Sequence, residues 1–230
     1  MVKDLTVVIP CLNEERTITF CIEKCKKVFE QLNIDGEVLV SDNGSTDNTV
    51  NIAQSAGARV VQTLEKGYGN ALRFGFENAE SKFIAMGDAD NTYDFLELPL
   101  LWEKMSDQVD MVIGSRLKGN IEKGAMPLKN RYLGTPALTL ILNILYGTRI
   151  SDSQCGMRLM RKSCLDTIDF KTTGMEFASE LLVEFAKHKF KIVETPISLH
   201  KDMYNRVPHL RPWRDGWRHL KFLIKSRVCK

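Results

Sequence analysis

Through the first half of this chain, short apolar runs alternate with stretches of helical composition, and no other feature limits its fold as tightly. The runs are Leu5 to Ile9, Glu37 to Val40, Arg59 to Gln62 and Lys82 to Met86. Between them, one helix is expected to open at Asn13-Glu14-Glu15, an N-cap residue followed by acids, and to continue to Leu32. A second closes at Gly57, and a third follows Gly67-Tyr68-Gly69 to Glu80. This alternation predicts an α/β fold: a mostly parallel, Rossmann-like sheet flanked by helices. Further on, helices are expected near 96–105, 131–146 and 176–187, and strands near 109–113, 157–160 and 191–196. Residues 115–130, with Gly119, Gly124 and Pro127, read as a long functional loop. No repeat or low-complexity linker intervenes, so residues 1–230 are expected to form one domain, with two halves, 1–114 and 115–200, and a basic C-terminal segment, 201–230.

Parallel strands end on one edge of their sheet, where ligands of open α/β sheets collect. The first strand runs into Pro10-Cys11-Leu12-Asn13-Glu14, the second into Ser41-Asp42-Asn43-Gly44-Ser45-Thr46-Asp47, the fourth into Asp88-Ala89-Asp90. Five acids therefore meet at one edge: Glu14, Asp42, Asp47, Asp88 and Asp90. Two carboxylates one residue apart repel each other and resist burial, and a hard divalent cation, Mg²⁺ or Mn²⁺, cancels that repulsion. Such a cation would hold a diphosphate. The segment Asp42 to Asp47 reads either as an Asx turn with an N-cap or as a base and ribose contact.

The charge is divided along the chain. Residues 1–110 carry 10 Lys and Arg against 19 Asp and Glu; residues 111–230 carry 22 against 10. The acidic half suits a cation, the basic half an anionic partner. Nucleic acid is not the expected one, because positive charge and aromatics cluster only at one end and no nucleic-acid-binding module is present. The six cysteines match no zinc spacing and follow no secretory signal, which points to a reducing, cytoplasmic setting. No run of 18 apolar residues exists, so no transmembrane helix is predicted. The stretch from Pro136 to Tyr146 is too short and reads as a core helix or a membrane-surface segment.

The strand tips resemble those of family 2 glycosyltransferases with the GT-A fold. The resemblance continues through Lys66-Gly-Tyr-Gly-Asn-Ala-Leu-Arg73, Ile113-Gly-Ser-Arg116 and Asn130-Arg-Tyr-Leu-Gly134. It extends through Asp152-Ser-Gln-Cys-Gly-Met-Arg158 and Thr173-Gly-Met-Glu-Phe-Ala-Ser-Glu180, and ends in the segment from Arg206 to Arg218. The branch it is most similar to loads a hexose onto a polyprenyl or dolichyl phosphate. The resemblance implies a donor half at 1–114 and an acceptor half at 115–200. In these terms Pro10, Leu12, Glu14, Asp42 and Lys66 match donor-binding positions, and Asp88 and Asp90 the acids that hold metal and diphosphate. Arg116, Arg131 and Arg206 match arginines on acceptor or diphosphate oxygens, while Asp152 and Gln154 line the acceptor side. Asn43 and Thr92 depart from the pattern, standing where relatives carry a second Asp and a Gln metal ligand. A two-acid metal site completed by phosphate and water is the consequence.

The chemistry this implies is an inverting transfer from a nucleotide sugar of the UDP-glucose or GDP-mannose class. Metal on Asp88 and Asp90 would neutralise the leaving diphosphate, with Asp90, Arg116 and Arg131 as the catalytic groups. A phosphate acceptor is already ionised, so it needs positive charge more than a general base; Arg116 and Arg131 would supply that as bidentate donors. The alternative, a saccharide or protein hydroxyl acceptor, would need a carboxylate base, Asp152 or Glu176. A donor-binding regulator without activity is disfavoured by the intact acids. In the last segment, Trp213, Trp217, Leu220, Ile224 and Val228 recur at helical spacing among Arg214, Arg218, Lys221 and Lys225. This helix is expected either to pack its apolar stripe on the domain or to hold the chain peripherally on the anionic cytoplasmic face of a membrane. Relatives of this branch often continue into transmembrane helices here, so a membrane-protein partner is a further expected source of anchorage.

Overall fold

Seven strands form one sheet among the described residues: β1 (Lys3–Cys11), β2 (Gly36–Asp42), β3 (Arg59–Gln62), β4 (Ser81–Met86), β5 (Met111–Ser115), β6 (Arg158–Arg161) and β7 (Ile192–Pro196). The structure is a computed structural model that describes residues 2–202, 204 and 212–228, the first two of that last stretch by backbone alone. Strand order is β3-β2-β1-β4-β6-β5-β7. Pairing is parallel from β3 across to β4 and again between β5 and β7; β6 alone runs antiparallel to both its neighbours. The central strands are covered on both faces, so their apolar runs are continuous rather than alternating: Val7, Val8 and Ile9 in β1 and Ile84, Ala85 and Met86 in β4 are fully buried.

The covering helices are α1 (Ile18–Leu32), α2 (Thr49–Ser55), α3 (Tyr68–Asn78), α4 (Leu98–Trp102), α5 (Thr135–Tyr146), α6 (Lys162–Leu165), α7 (Phe177–Lys187) and α8 (Pro212–Val228). The helix α1 buries Ile18, Cys21, Ile22, Cys25, Val28 and Phe29, a stripe at 3–4 residue spacing, and ends at left-handed Asn33. Cys21 and Cys25 are thus core residues. The expected start of α1 at Asn13 is four residues early. Asn13 sits at φ +59°, and its Oδ1 accepts from the Thr46 amide at 2.7 Å. The Glu14 amide donates to Thr49 Oγ1 at 2.8 Å. These groups tie the tip of β1 to the tip of β2 instead of capping a helix.

The face that α8 buries differs from the apolar stripe read in its sequence. Trp217, Ile224 and Val228 are exposed, whereas Asp215, His219 and Leu223 are buried. The side chain of Trp213 lies outside the description. Polar contacts explain the rotation. Arg218 Nη2 donates to Glu176 Oε1 at 2.7 Å, Ser179 Oγ and His219 Nδ1 share a hydrogen bond at 2.7 Å, and Tyr146 Oη donates to the Leu223 carbonyl at 2.7 Å. Buried polar groups are tolerated when paired, and these pairs fix which face of α8 meets the domain. No described helix is long and apolar enough to cross a membrane.

Candidate active site

The expected convergence of strand tips is observed. In the β1–β2 pairing Cys11 faces Asp42, and the Asn43 amide donates to the Cys11 carbonyl at 2.9 Å. Asp88 follows β4 directly, on the same edge. Asp42 is fully buried, and its carboxylate accepts from the Gly44 and Ser45 amides at 3.2 Å and from Gln62 Nε2 at 3.3 Å. The Asx turn therefore forms, and this carboxylate is used largely to shape its own loop. Pro10 and Glu14 are buried and Leu12 partly so, and Glu14 Oε2 accepts from Thr17 Oγ1 at 3.1 Å. Lys66 is exposed on the loop before α3. Asn43, whose matching residue departs from the family pattern, is structural: it donates to the Glu65 carbonyl at 2.8 Å and accepts from the Gly67 amide at 2.7 Å.

Asp88 is the electrostatic centre of this edge. Burial, and then the neighbouring Asp90, push its pKa up to about 7, against the opposing pull of Tyr68 and Arg116. Tyr68 Oη donates to Asp88 Oδ1 at 2.9 Å. Gly156 faces the other oxygen so closely that a Cβ there would lie 2.8 Å from Asp88 Oδ2. Asp90 Oδ1 accepts from both the amide and the hydroxyl of Thr92, at 3.0 and 2.6 Å, which fixes its orientation. Beneath this loop, the Cys21 thiol donates to the Ala89 carbonyl at 3.4 Å, and Lys24 Nζ donates to Asn91 Oδ1 at 2.9 Å. Two partly buried acids one residue apart that repel each other are the donor set a hard cation suits. No group of three or more His, Cys, Asp or Glu is arranged for a metal among the described residues. The fit is therefore to a cation that draws its remaining ligands from phosphate and water.

The basic side of the edge begins where β5 ends. Arg116 donates through Nε to Asp152 Oδ2 at 2.7 Å and through Nη2 to Asp152 Oδ1 at 2.8 Å, and its amide also donates to Oδ2 at 3.1 Å. Asp152 is fully buried. One bidentate edge of the Arg116 fork is thus already occupied, so the expectation of Arg116 as a bidentate phosphate donor is narrowed to its Nη1 side. Arg131 lies in the π-helical turn Asn130–Gly134 ahead of α5, with its guanidinium 5.5 Å from the Tyr132 ring, and forms no ion pair among the described residues. Gln154 donates to Ser153 Oγ at 3.0 Å and to Ser179 Oγ at 3.4 Å. Arg206 lies outside the described residues.

Several residues of the site were not singled out from sequence. Arg158 is fully buried on β6 and donates to the carbonyls of Cys155, Ser153 and Ala178 at 3.0, 3.1 and 2.8 Å, joining the loop ahead of β6 to α7. Tyr93 Oη accepts from the Gly156 amide at 2.9 Å. Tyr68, Gly156 and Arg158 all fall inside the motifs quoted above, so a signal existed; Tyr93 carried none. Glu176 Oε2 is the one buried side-chain oxygen without a partner among the described residues.

A profile of glycosyl transferase family 2 matches residues 6–169. A low-salt glycan biosynthesis hexosyltransferase of Haloferax volcanii is 45% identical over 221 residues, 96% of this chain but only 53% of that protein, so the chain spans about half of that relative's length. A dolichyl-phosphate hexose transferase of the same organism is 33% identical over 198 residues, 84% of this chain and 82% of that protein. Among solved structures, glucosyl-3-phosphoglycerate synthase from Mycobacterium tuberculosis, in complex with Mn²⁺, UDP and its glucosyl product, superposes with a TM-score of 0.74 at 22% identity. The match covers 98% of this chain and 80% of the synthase. That likeness shows the fold, which is the GT-A arrangement read from the sequence.

Proposed function

Because this chain belongs to glycosyl transferase family 2, we propose that it transfers a hexose, with inversion, from a nucleotide sugar to a polyprenyl or dolichyl phosphate. The donor is of the UDP-glucose or GDP-mannose class. One observation carries this reading: Arg116, partly buried at the tip of β5 and acting electrostatically on Asp88, is held by an Asp152 whose two oxygens it already occupies. The edge thus presents a fixed cation and no spare Asp152 base. That arrangement suits an acceptor that arrives ionised.

In this mechanism the nucleoside rests against Pro10, Leu12, Glu14 and the loop shaped by Asp42, with Lys66 beside the donor. Bound by Asp88 and Asp90, Mg²⁺ or Mn²⁺ supplies the positive charge that a departing diphosphate requires. Arg116, Arg131 and Arg206 hold the acceptor phosphate, with Gln154 on the same side. A phosphate oxygen attacks the anomeric carbon, the bond to the diphosphate breaks, and the electron pair leaves with the nucleoside diphosphate. Relatives support this reading, one of them being named a dolichyl-phosphate hexose transferase.

The exposed side chains fit an acceptor drawn from a bilayer. Trp217, Ile224 and Val228 on α8, and Leu133, Leu140 and Ile144 in and ahead of the adjoining α5, face outward. Arg214, Lys221 and Lys225 stand beside them. Peripheral attachment to an anionic, cytoplasmic membrane face follows from that pairing. The alternative, a hydroxyl acceptor, falls to Glu176 as base, since its Oε2 has no partner among the described residues. The test is incubation with Mn²⁺, a panel of radiolabelled nucleotide sugars and polyprenyl phosphate. Label in the organic phase supports the proposal; label only on added saccharide, lost in Glu176→Gln, supports the alternative.

A further inference from the structure

The geometry points to Glu194, on β7, as the residue that positions Arg116, acting through the loop that carries Asp152. This inference rests on the proposal that Arg116 contacts the acceptor phosphate. Glu194 is paired with Ile113 across the parallel β5–β7 ladder, three residues before Arg116. Its side chain is 5% exposed, a poor place for a carboxylate unless donors surround it.

Four donors do. Glu194 Oε1 accepts from the Ser151 amide at 2.7 Å, the Ser151 hydroxyl at 3.0 Å and the Asp152 amide at 3.1 Å; Oε2 accepts from Lys118 Nζ at 2.8 Å. The loop between α5 and β6 has no ladder to hold it, so its course depends on such contacts. Its flanks are fastened to α5, by Asn143 on the amide and carbonyl of Ile150 and by Thr139 on the Ser153 amide. Its centre, which carries the carboxylate that grips Arg116, is fastened by Glu194. Ser151 also shares a 2.7 Å hydrogen bond with Ser115, the residue before Arg116, so the same carboxylate steadies both ends of the Arg116–Asp152 pair.

A group two contacts from the ligand acts by holding geometry, and loss of such support typically costs tenfold to a hundredfold. Glu194 is therefore a positioning residue. Its amide counterpart keeps an oxygen for the Ser151 and Asp152 amides and loses the acceptor and charge facing Lys118, which is half exposed and can turn to solvent.

The experiment is a double-mutant cycle on the full chain, with polyprenyl phosphate as acceptor and UDP or GDP binding measured separately by calorimetry. Glu194→Ala is expected to lower kcat/KM for the acceptor roughly tenfold or more, with nucleotide affinity unchanged, and Glu194→Gln to restore most of it. Adding Glu194→Ala to Arg116→Ala is expected to cost almost nothing further, because the group being positioned is gone. If the two losses multiply, or Glu194→Ala leaves kcat/KM intact, or Gln fails to rescue, the inference is overturned. If Arg116→Ala itself is silent toward the acceptor, the failure belongs to the proposed role of Arg116. Should Glu194→Ala not fold, Glu194→Asp, one methylene short of the loop amides, replaces it in the same cycle.

Discussion

Tyr68 donates its hydroxyl to Asp88 at 2.9 Å from the first turn of α3, so the loop after β3 and the tip of β4 meet on a single carboxylate. That hydrogen bond helps to hold the charged form of Asp88 against burial. Tyr68→Phe removes it. The half-maximal Mn²⁺ concentration should rise roughly tenfold, the value of one hydrogen bond to a charged group. At limiting Mn²⁺ the pH needed for activity should rise, since proton and cation compete for Asp88, whose pKa without metal, already raised to about 7, loses a group that lowers it. A metal titration and a pH–rate profile on the same variant check both outcomes.

Asp90→Ala should cost about 3 kcal/mol of transition-state stabilisation, roughly a hundredfold in rate. Chelation should abolish turnover, and Mg²⁺ or Mn²⁺ should restore it. Full activity in excess chelator removes the cation from the mechanism.

Arg116→Ala should reduce kcat/KM for the acceptor by roughly a hundredfold while donor affinity holds, because a charged hydrogen bond is worth ~1.5–3 kcal/mol. Arg116→Lys should recover little, since lysine cannot reproduce the two-pronged grip on Asp152. Arg131→Ala should likewise raise the acceptor KM or lower kcat, and without disturbing Asp152, because its guanidinium has no ion-pair partner among the described residues. Steady-state kinetics with each substrate varied in turn separate the two arginines; a collapse of donor affinity instead would assign them to the diphosphate.

His219 links stability to pH. Burial, chiefly, lowers its pKa to about 4, so the folded state holds it neutral while the unfolded chain protonates near 6.5. Its contribution is full above about pH 6.5 and is lost as pH falls toward 4, a difference of ~3 kcal/mol by linkage. Urea denaturation at pH 7 and pH 4.5 should show the native chain losing about 2–3 kcal/mol more than His219→Gln. Equal losses in both would place the acid sensitivity elsewhere.

Trp217→Ala should leave the melting temperature unchanged, because this side chain is 67% exposed. Binding to anionic vesicles should weaken in a salt-independent way, whereas Lys221→Ala and Lys225→Ala should weaken it only at low salt. A native chain that stays in the supernatant with anionic liposomes at low salt excludes the peripheral mode.

Much of this arrangement could be read from residues alone, because parallel strands that end in acids have to bring those acids to one edge. The direction of β6 could not. A strand buried on both faces has no alternation to reveal which way it runs, and Arg158 to Arg161 is four residues long. The orientation of α8 was concealed for a related reason. Periodicity counts apolar side chains, but the buried face is set by Asp215 and His219 as much as by Leu223. Glu194 gave no signal because a carboxylate inside a strand acquires its meaning only from donors that a distant loop brings to it.

The reversal of β6 has a consequence for how such a catalyst can be altered. The proposed donor side lies on chain leaving the sheet, at the ends of β1, β2 and β4, whereas residues 152–157 are chain entering it, ahead of Arg158. The two sides therefore hang on different connections and share little covalent framework. Residues 117–134 can be lengthened, shortened or exchanged while the strand tips that carry Asp42, Asp88 and Asp90 stay intact, whereas Gly156 and the Arg116–Asp152 pair, which bear on Asp88, limit what can change at 147–157. On the proposed function, a chain of this design can be refitted to a new acceptor through one connection while the strand tips that serve its donor are kept.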